Sequence, residues 1–519
     1  MNGLDRAILA ISPGWAARRA RARHVAQVLA SAYEAAKPGR LRKRARDYGS
    51  GNAAVATSAK ALRDIARNLD RNHDLARGIL NVLVRNVVGP TGIGVEPQPK
   101  NPDGTVNETL AAQLSAIYKT WTELPEVTGE FNWARAEQLL CRSWLRDGEC
   151  LWQYLEGEVP FLTHGTDVPF SLELLEADLL PLDYDQPASN IMQGIECNAW
   201  GRPVGFWIYK NHPGEPNIGW VPQIKRVSTD LIGHLKLVDR IGQRRGVSMF
   251  ASVLSRLDDL KDYEESERIA AKVAASMAAV IIKGDAGAYE PPLPDASGNI
   301  PKDRALEFSP GMIFDDLRPG ESVGTIDSKR PNPNAQTWRD GQLRAVAAGV
   351  DASNSSVSRN YNGTYSAQRQ ELVETDLAYK TLSHAFIDQC TREVYKRMVA
   401  ACVLGGLIRV PRGMSFAQLS DALYIPPQMP WIDPQREANA FDTLEGRCYM
   451  SGPEIIRRRG ANPREVIAAE KQWQQQLRDA GIVITTNTST TTSGAAPGEP
   501  GAAADDTSST STMQDTTHA

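Results

Sequence analysis

Two long runs of helical periodicity constrain this chain more than any other feature of its sequence. In the first, over residues 248–282, apolar side chains recur at the spacing of one helix face, and they are Phe250, Val253, Leu254, Leu257, Leu260, Ile269, Val273, Met277 and Val280. An unbroken helix of that length would span about 50 Å at about 1.5 Å per residue. A second run, with one apolar stripe, covers 366–404. Two such helices fit either an ordinary helical domain or the wall of a ring in which copies of the chain stand side by side.

The sequence between these two runs is of a different kind. Residues 284–327 are rich in Pro and Gly and carry nine Asp and Glu against three Lys and Arg. A shorter helix is predicted over 334–349, and a small, polar loop over 351–365 follows it. We expect this loop to be flexible, with Gly363 available for a positive φ angle.

The first half of the chain combines helices with a β unit. Periodicity predicts helices over 58–84, 108–121 and 133–147, with a turn at 89–94. Short apolar runs bounded by Gly, Pro and Asn then predict strands of a mainly antiparallel unit, at 150–155, 171–176, 194–197, 206–209 and 231–238. A helical unit over 431–477 comes last, so the expected fold class is α+β.

The two ends of the chain differ sharply in charge. Residues 1–50 carry eleven Lys and Arg against three Asp and Glu, and the Ala-rich, Arg-rich segment 15–37 should be helical by propensity. From residue 485 onward the chain is mostly Thr, Ser, Gly, Ala and Pro, which cannot bury a core and is expected to be disordered. The middle of the chain is net acidic, which argues against a protein that coats nucleic acid tightly.

No run of about 18 apolar residues and no signal sequence is present, so neither a membrane span nor secretion is expected. The six cysteines are scattered without a CxxC pair, which argues against a disulfide framework and a zinc site.

Motifs that carry catalysis are missing from the sequence. No Walker motif, no His-Glu-x-x-His and no Gly-x-Ser-x-Gly occurs. His164, His212 and His234 are interpreted as surface or internally satisfied residues. The adjacent acids Asp258-Asp259 and Asp315-Asp316 would not face each other on a helix, so they are interpreted as solvated surface. The chain is therefore expected to be a structural or interaction protein without catalytic residues, metal or cofactor.

Five segments resemble the lambda-type portal proteins of tailed bacteriophages. The most distinctive is 234–248, whose second part follows the family pattern R-x-G-Q-x-R-G-V-S from Arg240 to Ser248. The others follow in the order of the family, and they are 308–311 with 317–323, 330–332, 361–369 and 431–437. Ala367 departs from the pattern, because the family usually has Ser there. The resemblance covers about residues 60–480.

The resemblance implies a non-enzymatic ring, usually of twelve subunits, at one vertex of a viral capsid. Double-stranded DNA would enter and leave through its channel without sequence recognition. The implied partners are the terminase large subunit, a head–tail adaptor, and the major capsid and scaffold proteins. The implied locations are the virion and, during assembly, the host cytoplasm.

Carried onto this chain, the family's architecture divides it as follows: 1–57 a basic arm, 58–247 the wing, 248–283 a stem helix, 284–327 a small α/β clip, 328–350 a second stem helix, 351–365 the tunnel loop, 366–430 a long wing helix with its connection, 431–480 a helical crown, and 481–519 a disordered tail. The stem helices would stand around the channel, and the tunnel loop would face its bore.

Candidate functional residues follow from that division. Those expected to face DNA are Lys329, Arg330, Arg339, Arg344, Arg359, Asn360 and Asn362. Those expected to dock partners at the acidic clip are Asp303, Glu307, Asp315, Asp316 and Glu321. Two alternatives stay open: a virion-associated enzyme, either a protease or a nuclease, and a monomeric DNA-binding protein that uses residues 1–50.

Overall fold

Helices and antiparallel strands occupy largely separate stretches of the chain, which is the pattern of an α+β fold. The computed structural model describes residues 49–215, 223–276, 280–283, 321–324, 334–429 and 433–482. Its α-helices are α1 (Gly51–Asn72), α2 (Asp74–Val87), α3 (Glu108–Trp121), α4 (Trp133–Asp147), α5 (Leu254–Ser276), α6 (Ala335–Gly349), α7 (Asn354–Ser358), α8 (Tyr365–Phe386), α9 (Arg392–Leu404), α10 (Phe416–Leu419), α11 (Pro434–Gly446), α12 (Gly452–Arg458) and α13 (Pro463–Asp479). None of the helices in the described ranges is both long and apolar enough to cross a membrane.

The strands form small antiparallel sheets. They are β1 (Gly94–Pro97), β2 (Glu149–Glu156), β3 (Phe170–Leu175), β4 (Ile191–Met192), β5 (Ile195–Cys197), β6 (Pro203–Tyr209), β7 (Ile224–Ser228), β8 (Ile232–Lys236), β9 (Val280–Lys283), β10 (Glu321–Gly324) and β11 (Ala422–Ile425). One sheet has the order β3-β2-β8 and another β4-β5-β6-β7, while β1 pairs with β11 and β9 with β10. All five strands predicted from the sequence are confirmed.

The main core joins the first helices, the central strand β2 and the long helical stretch from α8 to α9. Its largest side chains are aromatic and fully buried: Trp121, Trp144, Trp152, Phe170, Phe386 and Tyr395. Trp121 Nε1 donates to the Phe170 carbonyl oxygen at 3.0 Å, so this ring satisfies its polar edge while burying its apolar face. A second, smaller cluster fills the β unit around Phe206 and Ile208.

The predicted helix over 58–84 is wrong in its start and its continuity. Ser50 caps α1 by accepting a hydrogen bond from Ala53 N, so the helix begins inside the predicted basic arm of 1–57. The helix then breaks at His73, whose backbone is extended. The His73 ring places Nε2 3.2 Å from the Leu257 carbonyl oxygen, and this contact holds the break against α5.

The predicted helix over 248–282 is also too long. A 3-10 turn covers Met249–Ser252, α5 ends at Ser276, and Val280–Lys283 is a strand instead. The β-branched residues there favour a strand once a partner is present, and that partner is β10, which pairs Glu321 with Lys283. Helical periodicity alone could not reveal a pairing across the intervening insert.

The long helical stretch predicted over 366–404 is confirmed, but a π-helical turn at Ile387–Thr391 joins α8 to α9. Beside this turn lies Glu137, which is fully buried. Its carboxylate accepts hydrogen bonds from Thr391 Oγ1 at 2.6 Å and from Ile93 N at 2.8 Å. Burial raises the pKa of Glu137 to about 7, although these two donors act in the opposite direction.

A separate unit begins at Arg464 and contains most of α13. Within this helix, side-chain hydrogen bonds join Gln474 to Glu470 and Gln475 to Asp479 at the one-turn spacing. The described residues of the predicted crown of 431–480 form the helices α11, α12 and α13 joined by short turns, and α11 and α12 belong to the unit that ends at Pro463.

Candidate nucleic-acid interface

The segment predicted as the tunnel loop begins as a packed structure rather than as a flexible loop. Residues Asn354–Ser358 form the short helix α7, and Ser353 caps it by accepting a hydrogen bond from Ser356 N. Val357 is buried in the main core. The prediction of a polar loop over all of 351–365 is therefore wrong for its first part, because one apolar residue and one capping serine are enough to dock a turn of helix.

Glu371, on α8, fixes this short helix from the other side. Its carboxylate accepts hydrogen bonds at 3.0 Å from Ser353 Oγ and from Ser355 N, and a further bond from Ser355 Oγ. Burial alone would raise the pKa of Glu371, but these donors outweigh it and hold the pKa below its usual value. The carboxylate is therefore charged at neutral pH and is stabilised by hydrogen bonds from neutral donors.

A small polar cavity of about 210 Å³ lies between α6, α7 and the start of α8. Arg344, Asn354, Asn360 and Asn362 line it together with residues such as Asp340. The Oδ1 atom of Asn354 is buried there without a hydrogen-bond partner in the described structure. The cavity thus presents one guanidinium and several amide groups, which can donate hydrogen bonds to phosphate oxygens, beside the carboxylates of Asp340 and Glu371, which would repel them.

Arg359 lies at the exposed tip next to this cavity. It adopts the left-handed conformation, with φ of 56° and ψ of 23°, and ends α7. Gly363 does not have a positive φ, so the expectation placed on that glycine is wrong. The turn is instead closed by Asn362 N, which donates to Asn360 Oδ1 at 3.1 Å, and by Gln368 Nε2, which donates to the Tyr361 carbonyl oxygen.

Arg339 lies on the same helix as Arg344 but is already paired. Its Nε atom lies 2.5 Å from Glu264 Oε1 on α5. The Trp338 ring lies tilted against Tyr263 with ring centroids 4.2 Å apart, so this part of α6 is held to α5. The structure brings Arg344, Asn360 and Asn362 together and leaves Arg339 in a helix–helix contact.

The remaining candidates fall mostly outside the described residues. Lys329 and Arg330 lie there, as do the clip residues Asp303, Glu307, Asp315 and Asp316. Glu321 opens strand β10 opposite Lys283 of β9.

The second part of the distinctive segment 240–248 forms a buried polar cluster around Arg245, while the first part, 240–242, is exposed. Arg245 is fully buried, and its Nε and Nη2 atoms reach the Glu149 carboxylate at 2.6–3.0 Å. The same guanidinium donates to the carbonyl oxygens of Leu180 and Gln193 at 2.9 Å. Gly246 is required beside it, because a Cβ atom there would lie 2.0 Å from the Gly148 carbonyl oxygen. Arg245 and Gly246 therefore serve the fold.

Glu149 is the acceptor at the centre of that cluster. Besides Arg245, it is bound by Arg63 Nη2 at 2.9 Å and His234 Nε2 at 3.0 Å. Burial would raise the pKa of Glu149, but the charge of Arg245 and the hydrogen bond from His234 hold it well below the usual value. Burial in turn lowers the pKa of His234. The interpretation of His234 as an internally satisfied residue is confirmed.

One group of potential metal ligands exists among the described residues. The ligand atoms of Glu176, Asp178 and His212 lie within 4.8 Å of one another. However, Arg67 Nη2 lies 2.5 Å from Asp178 Oδ2, and Arg63 Nη1 lies 3.4 Å from the other oxygen. Two guanidinium groups already supply the positive charge, so the group is part of an ion-pair network rather than a cation site.

Sequence reasoning missed the acidic residues that hold these sites, namely Glu137, Glu149 and Glu371. Each is isolated in the sequence and contacts partners far along the chain; Glu149 and Arg245 are 96 residues apart. The only local signal is the position of Glu149 directly after Gly148, where a helix ends with a left-handed residue and a strand begins.

A family model and a curated relative match most of the chain. The model described as "Phage portal protein, lambda family" matches residues 37–382. A "Probable portal protein" of Halomonas phage phiHAP-1 is 23% identical over 425 residues, which cover 80% of this chain and 80% of the relative.

Two similar solved structures come from gene transfer agent (GTA) particles. The chain from "Neck of empty GTA particle computed with C6 symmetry" has a TM-score of 0.41 and 14% identity, covering 77% of this chain and 93% of that one. The chain from "Neck of native GTA particle computed with C12 symmetry" has a TM-score of 0.40 and 14% identity, covering 79% and 99%.

Proposed function

The chain belongs to the lambda family of phage portal proteins, and we propose that it assembles into a ring of twelve copies at one capsid vertex, through which double-stranded DNA is packaged and later ejected. The match of the family model over 37–382 is the observation that carries this proposal. The protein acts as a structural conduit and head–tail connector, without catalytic residues.

Exposed apolar side chains support assembly with further copies. On α5, α6 and α8 and in the turn before α8 they include Ile269, Trp338, Tyr361, Tyr365, Leu372, Val373 and Leu377. Leu377, for example, is 66% exposed and Ile269 53%. The second half of α5, over 261–272, has no fully buried residue among those described, so it extends beyond its own core. Apolar surface of this kind marks protein interaction sites.

Charge supports a channel that lets DNA slide. The chain between its basic start and its Thr-rich end holds more Asp and Glu than Lys and Arg. Each phosphate contact made by Lys or Arg adds affinity and salt dependence, so a conduit should offer few such contacts per subunit. Arg344 and Arg359, with Asn360 and Asn362, would supply these contacts from the bore side. Their donors would read the phosphate backbone, not the base sequence.

The partner proteins belong to the same proposal. The acidic segment 284–327 would dock the terminase large subunit during packaging and a head–tail adaptor afterwards, since an acidic ring suits a basic partner surface. Other faces would meet the major capsid and scaffold proteins. The protein would therefore reside in the virion and, during assembly, in the host cytoplasm.

The mass of the purified protein under native conditions tests the ring. Twelve copies of a 56.8 kDa chain give about 680 kDa, and negative-stain images should show hollow rings. A small oligomer that cleaves protein or DNA would favour a virion-associated enzyme instead. A monomer whose DNA binding is lost on deletion of residues 1–50 would favour the DNA-binding alternative.

A further inference from the structure

An open groove of about 1070 Å³ lies between the end of strand β2, the loop that follows it and the last turn of α9. We call it the acidic groove and define it by residues 156–169 and 401–405. The volume is at the upper limit of small-molecule sites, which range over about 300–1,000 Å³. Its size suits a segment of polypeptide better than a metabolite.

The wall of the acidic groove is fixed by its own hydrogen bonds. The His164 ring lies 2.7 Å from Ser171 Oγ through Nδ1 and 2.7 Å from the Gly157 carbonyl oxygen through Nε2. Gly165 packs directly on Leu124, where a Cβ atom would lie 2.7 Å from the leucine side chain. The groove is therefore a formed surface of the fold and does not depend on a ligand for its shape.

The acidic groove is negative at its rim and apolar at its floor. Glu156, Glu158 and Asp167 line it. Arg397 lies 3.6 Å from the Glu156 carboxylate, so Glu158 and Asp167 supply most of the negative charge. The last turn of α9 carries no basic residue, so the negative end of that helix dipole adds to the potential. Leu404 lines the groove and is 82% exposed, and Phe161, in the loop after β2, is fully exposed.

A segment with the complementary chemistry is present in the same chain. Residues 1–48 carry eleven Lys and Arg against three Asp and Glu, and four of the arginines fall within 18–23. If 15–37 is helical, as its sequence predicts, Trp15, Val25 and Leu29 fall on one side of that helix together with Arg18. This segment would therefore bring apolar side chains and arginines together to the groove.

The length of chain is sufficient to reach the groove. The described chain begins beside Arg240, which donates to the Gly49 carbonyl oxygen at 3.0 Å. Arg63, which binds Glu149 at the start of β2, lies about 20 Å along α1 from Ser50 at about 1.5 Å per residue. Glu156 lies seven residues beyond Glu149, about 23 Å at about 3.3 Å per residue. Residues 38–48 can extend about 36 Å, and a helix over 15–37 would add about 34 Å.

We propose that residues 15–37 dock in the acidic groove, either of their own subunit or of a neighbouring one. The basic arm then closes an exposed apolar floor and is held by charge. Docking in a neighbouring subunit rests on the proposed ring, whereas docking in the same subunit does not.

Hydrogen exchange of the full-length protein, followed by mass spectrometry at about 0.1 M salt, tests this proposal. We expect segment 15–37 to exchange at least tenfold more slowly in the wild type than in the variant Glu158→Lys/Asp167→Lys. The matched control Asp183→Lys/Asp230→Lys reverses two exposed acids elsewhere and should keep the protection. Exchange of β2 should be the same in all three proteins, which shows that the fold is intact.

Unprotected exchange of 15–37 in the wild type would overturn the proposal, as would equal protection in the groove variant. A second measurement places the segment directly: in a Cys448→Ser background, Ala20→Cys and Leu404→Cys should form a disulfide under mild oxidation. A monomer band on a non-reducing gel identifies docking in the same subunit, and a ladder identifies a neighbour. No disulfide would contradict the proposal.

Native mass measured on the same samples separates this proposal from the proposed function. Rings in which 15–37 exchanges without protection would refute the docking proposal and leave the proposed ring standing. A protected 15–37 in a protein that stays monomeric would refute the ring alone.

Discussion

Replacing Arg245 with leucine tests whether the family's distinctive segment serves the fold. Leucine keeps an apolar side chain but removes every hydrogen bond that Arg245 donates to Glu149 and to the carbonyl oxygens of Leu180 and Gln193. Removing one partner of a buried ion pair costs about 3–5 kcal/mol, because the other charge stays buried. Glu149 keeps Arg63, so we expect the lower end, about 3 kcal/mol of unfolding free energy.

Urea unfolding followed by tryptophan fluorescence measures this loss, since Trp144 and Trp152 lie in the core that the cluster borders. The matched control is Arg244→Leu, which removes a neighbouring, partly exposed arginine whose contact to the Ile195 carbonyl oxygen is 3.5 Å long. The control should cost less than about 0.5 kcal/mol. If both variants lower the urea midpoint equally, the assigned role of Arg245 is wrong.

Further predictions concern a buried carboxylate in the core, the channel, the acidic segment 284–327 and the C-terminal segment 485–519. Because burial raises the pKa of Glu137 to about 7, the folded state binds its proton more tightly than the unfolded state, and stability should fall by about 3 kcal/mol as pH rises from about 4.5 to about 7. Glu137→Gln should remove this fall in the urea midpoint, and an unchanged pH profile would refute the assignment. Arg359→Glu should leave rings intact but shorten packaged genomes, as measured by DNA length per particle; failed ring assembly or full-length genomes would argue against a DNA contact. Charge reversal of Asp315 and Asp316 to Lys should preserve rings and weaken terminase binding in a pull-down, and wild-type packaging would count against docking there. Deletion of 485–519 should not reduce the yield of rings on a sizing column, and loss of rings would show that the tail assists assembly.

Helices and strands with a clear local hydrophobic pattern were predictable from the sequence. The strands β2 and β6, the helices α3 and α4, and the long stretch from α8 to α9 all carry periodicity within a short window. The segments quoted for the family also identified the function class. Helix ends were less predictable. Helix α5 ends at Ser276, and β9 follows because it pairs with β10 on the other side of the insert. A pattern in a short window of sequence does not show this pairing.

The residues of the candidate interface could be predicted from the sequence, but their arrangement in space could not. The sequence indicated Arg344, Asn360 and Asn362 as candidates, but it did not indicate that they line one cavity. The reason is that Glu371 positions α7 through serine hydrogen bonds, which no charge or hydropathy pattern records. Arg339 was expected to face DNA, and its partner Glu264 lies on a different helix 75 residues away.

A reconstruction of the assembled particle from electron cryo-microscopy tests the central claim most directly. It should show a closed ring with an axial channel, and the turn containing Arg359, Asn360 and Asn362 should face that channel in every subunit. A particle without an axial channel, or a ring with this turn on its outer wall, would contradict the account.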